Sequence, residues 1–175
     1  MLLHAPGPAL PARALPGPAG YELADLTALT RRVASEVRAG LHEVQIDPLR
    51  RWYRRLHGDD FVDVWLISWA TEQAAELHDH AGSLGALTVV SGRLTEEFWA
   101  ASTGGLRSRT LHAGRSVGFG LGHVHEVSNP SADAAVSVHA YSPPLTAMSY
   151  YDVTGGRLRR TRSELTEPGS TQGVG

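Results

Sequence analysis

The sequence predicts an all-β barrel or sandwich preceded by a short N-terminal helical segment. From Phe61 onward the 175-residue chain is a succession of short runs rich in valine, tryptophan, phenylalanine and threonine, divided by Gly, Asp, Asn and Ser. Only one earlier stretch has helical spacing. The composition, 42% hydrophobic and 19% charged, is that of one packed domain with an enclosed interior, not of a disordered or membrane-embedded chain.

Residues 1–20 are an Ala/Pro/Gly mixture without periodicity and are read as a loose arm. Leu23, Leu26, Leu29, Val33 and Val37 then recur at steps of three and four, which predicts one amphipathic helix, with Asp25 or Thr27 as its cap and Gly40 as its stop. Strands are expected at Phe61 to Trp69, Glu76 to His80, Gly85 to Val90, Leu94 to Trp99 and Leu106 to Leu111. Further strands are expected at Arg115 to Phe119, Val124 to Val127, Ala135 to Ala140 and Met148 to Val153. Close spacing of many short strands is the pattern of a closed or double-sheet β domain. The domain is assigned to residues 21–162, and 163–175, rich in Ser, Thr and Gly, to a fraying tail.

Composition narrows the chemistry. There is no cysteine, so disulfides, thiolate ligands and a cysteine nucleophile are excluded, and any metal must sit on His, Asp or Glu. All 16 basic residues are arginine, which removes Schiff-base chemistry and a P-loop lysine. A net charge of -2 and an absence of like-charge runs argue against nucleic acid as a partner. No apolar stretch is long enough for a membrane span. A cytoplasmic monomer acting on a small molecule is the expectation.

His78, Asp79 and His80 form a His-Asp-His triplet in a predicted strand. Side chains alternate faces along a strand, so the two imidazoles share one side and Asp79 points to the other, where it would brace a turn or a neighbouring strand. Downstream, Gly114, Gly120, Gly122, His125 and Asn129 keep the spacing of the second cupin motif, with Gly120 where proline is usual. The first cupin motif asks for H-x-H, a glutamate after four residues and a glycine six residues later. His78, His80 and Gly92 fit it; Gly85 stands at the glutamate position, and Glu72 where a glycine is usual.

A cupin with three histidines and no acidic ligand marks the thiol dioxygenases, and the chain resembles the cysteine dioxygenase type I family over most of its length. The blocks that carry the resemblance are Trp69 to His80 (WATEQAAELHDH), Ser83 to Glu96 (SLGALTVVSGRLTE), His125 to Asn129 (HEVSN) and Ser137 to Pro144 (SVHAYSPP). The resemblance implies a cupin jelly-roll barrel that binds Fe(II) through His78, His80 and His125. It also implies oxidation of L-cysteine by O2 to cysteine sulfinic acid. Tyr141 is implied near the bound oxygen or substrate carboxylate, with His139 and Ser137 behind it, and a cis bond in the Ser142-Pro143-Pro144 run. Mammalian members carry at the position of Gly85 a cysteine that cross-links to the tyrosine; this chain cannot form that link and in this respect is similar to bacterial members.

The chemistry fits such a donor set. Three neutral imidazoles leave the full charge of Fe(II) to attract a thiolate, and the face opposite them has room for sulfur, an amine and dioxygen. Two oxygen atoms added to one sulfur give the sulfinic acid. A substrate carboxylate calls for an arginine. WYRRLH resembles the family's carboxylate-binding segment, and by that resemblance and its position before Trp69 the choice falls on Arg54 over Arg55; the two face opposite ways in an extended segment, so only one enters the pocket. His123 shares a face with His125 and competes with it as third ligand, but only His125 keeps the motif distances to Gly122 and Asn129. His4, His42, His57 and His112 are assigned no role, and Trp65, Trp69 and Trp99 are read as core. Two rivals stand beside L-cysteine oxidation: a dioxygenase for 3-mercaptopropionate or another small thiol, and a non-catalytic cupin that binds a metal or a small acid.

Overall fold

The computed structural model describes residues 20–166; the N-terminal arm up to residue 19 and residues 167–175 lie outside them. One helix, α1 (Leu23–Arg38), precedes eleven strands. These are β1 (Tyr53–Gly58), β2 (Asp63–Trp69), β3 (His78–Asp79), β4 (Leu84–Ser91), β5 (Arg93–Ala100), β6 (Gly105–His112), β7 (Ser116–Phe119), β8 (His125–Ser128), β9 (Ala135–Ser142), β10 (Ala147–Thr154) and β11 (Arg157–Leu165). They form two antiparallel sheets, in the orders β1-β2-β9-β4-β7 and β11-β10-β3-β8-β5-β6. Side chains of both sheets meet in one core: Trp69, Leu87, Val89 and Phe119 from the first pack with Leu94, Leu111 and Val127 from the second. This is the jelly-roll barrel with an N-terminal helix that the resemblance implied.

The central strands of the first sheet are buried on both faces. Helix α1 lays Leu26, Val33, Ala34 and Val37 on its outer side, against Val64, Leu66, Ala86, Val136, Val138 and Ala140. Residues one step along each strand point inward instead. Strand β9 is therefore buried at every position, and its sequence divides cleanly: Val136, Val138 and Ala140 serve the helix, while Ser137, His139 and Tyr141 face the barrel interior.

Several boundaries differ from the sequence expectation, each for a local reason. The helix is capped by Glu22, not by Asp25 or Thr27: Glu22 and Asp25 form a reciprocal capping box in which the Glu22 backbone N–H donates to Asp25 Oδ2. Its C-terminus agrees with the expectation: after the cap on Ala39, Gly40 takes a φ of 77° and its N–H donates to the Val37 carbonyl, which stops the helix. Strand β2 begins two residues after Phe61, because Asp59 Oδ1 accepts from the backbone N–H groups of Phe61 and Val62 and holds them in the turn. The β3 pairing is confined to His78 and Asp79. Strands β1 and β11 were not anticipated. Both are rich in arginine, which hides the period-two signal, and the tail assigned from residue 163 is strand as far as Leu165, where β11 pairs with β10. Glu72 has a φ of 64°, a left-handed conformation that favours glycine, which accounts for glycine being usual at this motif position. The Ser142-Pro143 bond is cis.

Leu66 is fully buried between helix and sheet. Leu66→Ala is expected to cost about 2–5 kcal/mol, seen as a lower urea midpoint at an unchanged slope.

Candidate metal centre

Strand pairing builds the centre. His78 and His125 are directly opposite each other across β3 and β8, which brings their side chains together, and His80 follows two residues on from His78, on the same side of the chain. The three rings form a near-equilateral triangle with centroid separations of 4.9 and 5.0 Å. One nitrogen from each lies within 4.8 Å of the others. Nε2 of His80 and Nε2 of His125 are 3.4 Å apart, close to the roughly 3–3.4 Å expected of two imidazoles sharing an ion at about 2.1 Å.

The protonation pattern suits ligation. His78 Nδ1 donates to the Glu76 carbonyl at 2.6 Å, which leaves Nε2 as a lone-pair donor. His125 Nδ1 donates to Glu96 Oε1 at 2.9 Å, with the same effect on its Nε2. Burial pushes the pKa of all three histidines down, so each is neutral near pH 7. Asp79 points away, as expected. Its carboxylate accepts from the Ala81 amide and from the Tyr151 hydroxyl at 2.6 Å, and so ties β3 to β10.

Glu96 was not anticipated. It is fully buried and accepts from Arg109 Nε at 2.6 Å, His123 Nε2 at 2.9 Å and His125 Nδ1 at 2.9 Å. Burial alone would raise its pKa, but the hydrogen bonds from His123, His125 and Arg109 outweigh this and hold the carboxyl well below the usual range. The signal in the sequence was its phase: Glu96 is two residues from Leu94, on the inward face of β5. His123 therefore turns to the carboxylate and not to the triangle. Glu96, His123 and His125 are also near enough to hold an ion, but the Arg109 guanidinium already satisfies this carboxylate with a fixed positive charge.

Gly85 explains the missing acidic ligand sterically. It lies between Phe119 and Tyr141 in the sheet register. A Cβ there would fall 2.0 Å from Phe119 Cε2. Neither glutamate nor cysteine fits while Phe119 stays, and the Phe119 ring stacks on His80 at 5.0 Å and on His123 at 5.6 Å.

Beside the triangle, Trp69 Nε1–H donates to Ser137 Oγ at 2.9 Å. Ser137 Oγ is 2.9 Å from His139 Nε2, and His139 Nδ1 is 3.4 Å from the Tyr141 hydroxyl. The arrangement that satisfies every buried donor has Ser137 donating to Nε2 and Nδ1–H donating to Tyr141, which leaves the phenol O–H to point elsewhere. Burial lowers the pKa of His139 to about 3 and raises that of Tyr141. Both are neutral, and Tyr141 is a hydrogen-bond donor.

A cavity opens from His78 and His125 past His139 and Tyr141 to Arg51, Arg55 and Asp63. Arg54, the arginine chosen from the sequence, is not among the residues that line it. Tyr53 and Arg55 line the cavity, and Arg54, between them on β1, turns to the other face, with its guanidinium 5.9 Å from the Trp52 ring. Arg51 adds a second guanidinium, 4.8 Å over Trp69, with a pKa lowered by burial. Trp65, read as core, is half-buried and lines the cavity.

Comparison with known proteins agrees with this geometry. The barrel is similar to TT1209 from Thermus thermophilus, with a TM-score of 0.51, 19% identity and coverage of 58% of this chain and 90% of that one. It is equally similar to an uncharacterized conserved protein with a double-stranded β-helix domain from Klebsiella pneumoniae, with a TM-score of 0.51, 16% identity and coverage of 71% and 91%. BH2720 from Bacillus halodurans matches with a TM-score of 0.50, 21% identity and coverage of 54% and 72%. These likenesses concern the fold. The sequence model of cysteine dioxygenase type I matches residues 23–154, three quarters of the chain, and the chain belongs to that family.

Proposed function

We propose that the protein is an Fe(II)-dependent thiol dioxygenase that oxidises L-cysteine to cysteine sulfinic acid. The observation that carries this reading is the triangle of neutral His78, His80 and His125 without an acidic ligand, next to a cavity lined by arginine. Iron held there supplies a Lewis-acidic, redox-active centre at which a thiolate and dioxygen meet. The overall change is balanced by the two reactants, since the thiolate sulfur takes both atoms of O2 to become the sulfinate.

The chain's own residues then have distinct tasks. His78, His80 and His125 hold the metal without cancelling its charge. Arg55 offers a guanidinium to the substrate carboxylate. Its Nε is buried and makes no hydrogen bond among the described residues, so a carboxylate would satisfy it. Tyr141 directs its O–H toward the reacting groups, oriented by His139, Ser137 and Trp69. Phe119, Trp69 and Val127 wall the centre with apolar surface and limit water.

Arg55, not Arg54, now carries the argument for a carboxylated thiol. The same cavity suits 3-mercaptopropionate, which shares the thiol and the carboxylate. Oxygen uptake with equal enzyme decides between them: L-cysteine is expected to turn over faster, and faster turnover of 3-mercaptopropionate would overturn the choice. A protein that contains no iron when isolated, or that contains iron but consumes no oxygen with any small thiol, would instead be a binding cupin.

Two sets of variants test the assignments. His125→Ala is expected to lose both iron, by metal analysis, and oxygen uptake, whereas His123→Ala keeps most of each because its hydrogen bond goes to Glu96 and not to the triangle. Arg55→Ala should lower kcat/KM for a carboxylated thiol about a hundredfold or more, the loss expected when one partner of a buried ion pair is removed. Arg54→Ala should leave it within about twofold, and equal losses in the two variants would refute the assignment of Arg55.

A further inference from the structure

Strand β1 breaks its alternation once, next to the arginine that faces the cavity. Arg55 is opposite Trp65, His57 opposite Val64 and Gly58 opposite Asp63, so the register shifts between Arg55 and His57, and Leu56 is the extra residue of a β-bulge. Strict alternation would put Gly58, three residues after Arg55, on the outer face of the sheet. The bulge absorbs one step. Leu56 packs with the core on the helix side, His57 lines a cleft there with Leu29 and Val33, and Gly58 returns to the inward face with Arg55.

The guanidinium occupies the space this creates. A Cβ on Gly58 would lie 2.1 Å from Arg55 Cζ and Nη2 and 2.4 Å from Nε, and these are the three heavy atoms nearest to it. The guanidinium therefore lies directly on the Gly58 backbone, where any side chain would displace it. The Trp65 ring, 5.9 Å from Arg55 Cζ, borders it as well, and Asp63, opposite Gly58, is its charge partner. Arg55, Trp65 and Asp63 line the cavity, whereas Gly58 is not among the lining residues. A long arginine side chain loses much rotamer freedom when it binds a ligand; a guanidinium already held by backbone, ring and carboxylate has lost it beforehand.

We propose that Gly58 is a positioning residue for substrate recognition: together with the bulge at Leu56, its missing side chain leaves the seat from which Arg55 presents its guanidinium to the carboxylate of the thiol. This inference rests on the thiol dioxygenase reading with Arg55 as carboxylate partner. It makes the selectivity of the cavity for carboxylated thiols depend on a residue with no side chain of its own.

The test is Gly58→Ala. The backbone at Gly58 is outside the left-handed region, so the chain itself tolerates alanine, and the guanidinium must retreat by about 1.5 Å to restore ordinary contact. In the iron-loaded protein, titrated under strictly anaerobic conditions, affinity for L-cysteine and 3-mercaptopropionate should fall together by about tenfold or more, the scale of such a misplacement, while cysteamine, which has no carboxylate, stays within about twofold. In an Arg55→Ala background the same substitution should add nothing, because its effect passes through the guanidinium. Equal loss for all three thiols, no loss for the carboxylated pair, or losses that add in the double variant would each overturn the inference. Trp65→Leu removes another border of the seat and should discriminate between the thiols in the same sense; it decides should Gly58→Ala fail to fold, and equal losses there refute the inference too. Because binding is read without turnover, protein that shows the expected pattern yet consumes no oxygen with any of these thiols would sink the dioxygenase reading alone.

Discussion

One buried carboxylate organises the centre. Glu96 gathers N–H donors from β6, from β8 and from the residue two positions before His125, and it does so with no exposure to solvent. Its hydrogen bond to Nδ1 decides which nitrogen His125 presents to the triangle. Arg109 balances its charge and allows it to remain ionised inside the barrel, where an unpaired carboxylate would be protonated or expelled. The negative charge absent from the ligand set is in this way present one residue further out.

A second constraint is that the centre of the first sheet is dry on both sides. The helix covers one face and the cavity occupies the other, so strand β9 has no solvent-facing position at which to tolerate an unsatisfied group. Its polar residues are accordingly bonded to one another and to Trp69 in a line that ends at Tyr141. The same tightness acts at Gly85, where the absence of a side chain lets the Phe119 ring reach His80. A short apolar contact and an all-histidine site are therefore two consequences of one glycine.

Chemistry enters where this packing stops. On the cavity wall, Arg55 Nε is buried without a hydrogen-bond partner among the described residues, in contrast to the closed hydrogen bonding behind it. A rigid, fully satisfied shell and an unsatisfied inner wall make a site that gains most from a ligand with complementary polar groups.

The sequence by itself determined the β-rich class, the helix, the three histidines and the inward line of Ser137, His139 and Tyr141. Each of these is a matter of period along one strand or of spacing within one motif, and alternation alone is enough to state it. It also placed Asp79 on the far side from the histidines, for the same reason. Which arginine enters the cavity, what holds His125 and why Gly85 has no side chain depended on neighbours distant in the chain. Arg54 and Arg55 differ by one step of phase, and that phase is set by the register of β1 on β2, with Arg54 opposite Leu66 and Arg55 opposite Trp65. Glu96 finds His123, His125 and Arg109 only when β5 is hydrogen-bonded between β6 and β8, and Phe119 reaches Gly85 only across β4 and β7. Local periodicity lies in the chain, whereas register between strands is a long-range property, and in this protein register decides what the cavity can bind.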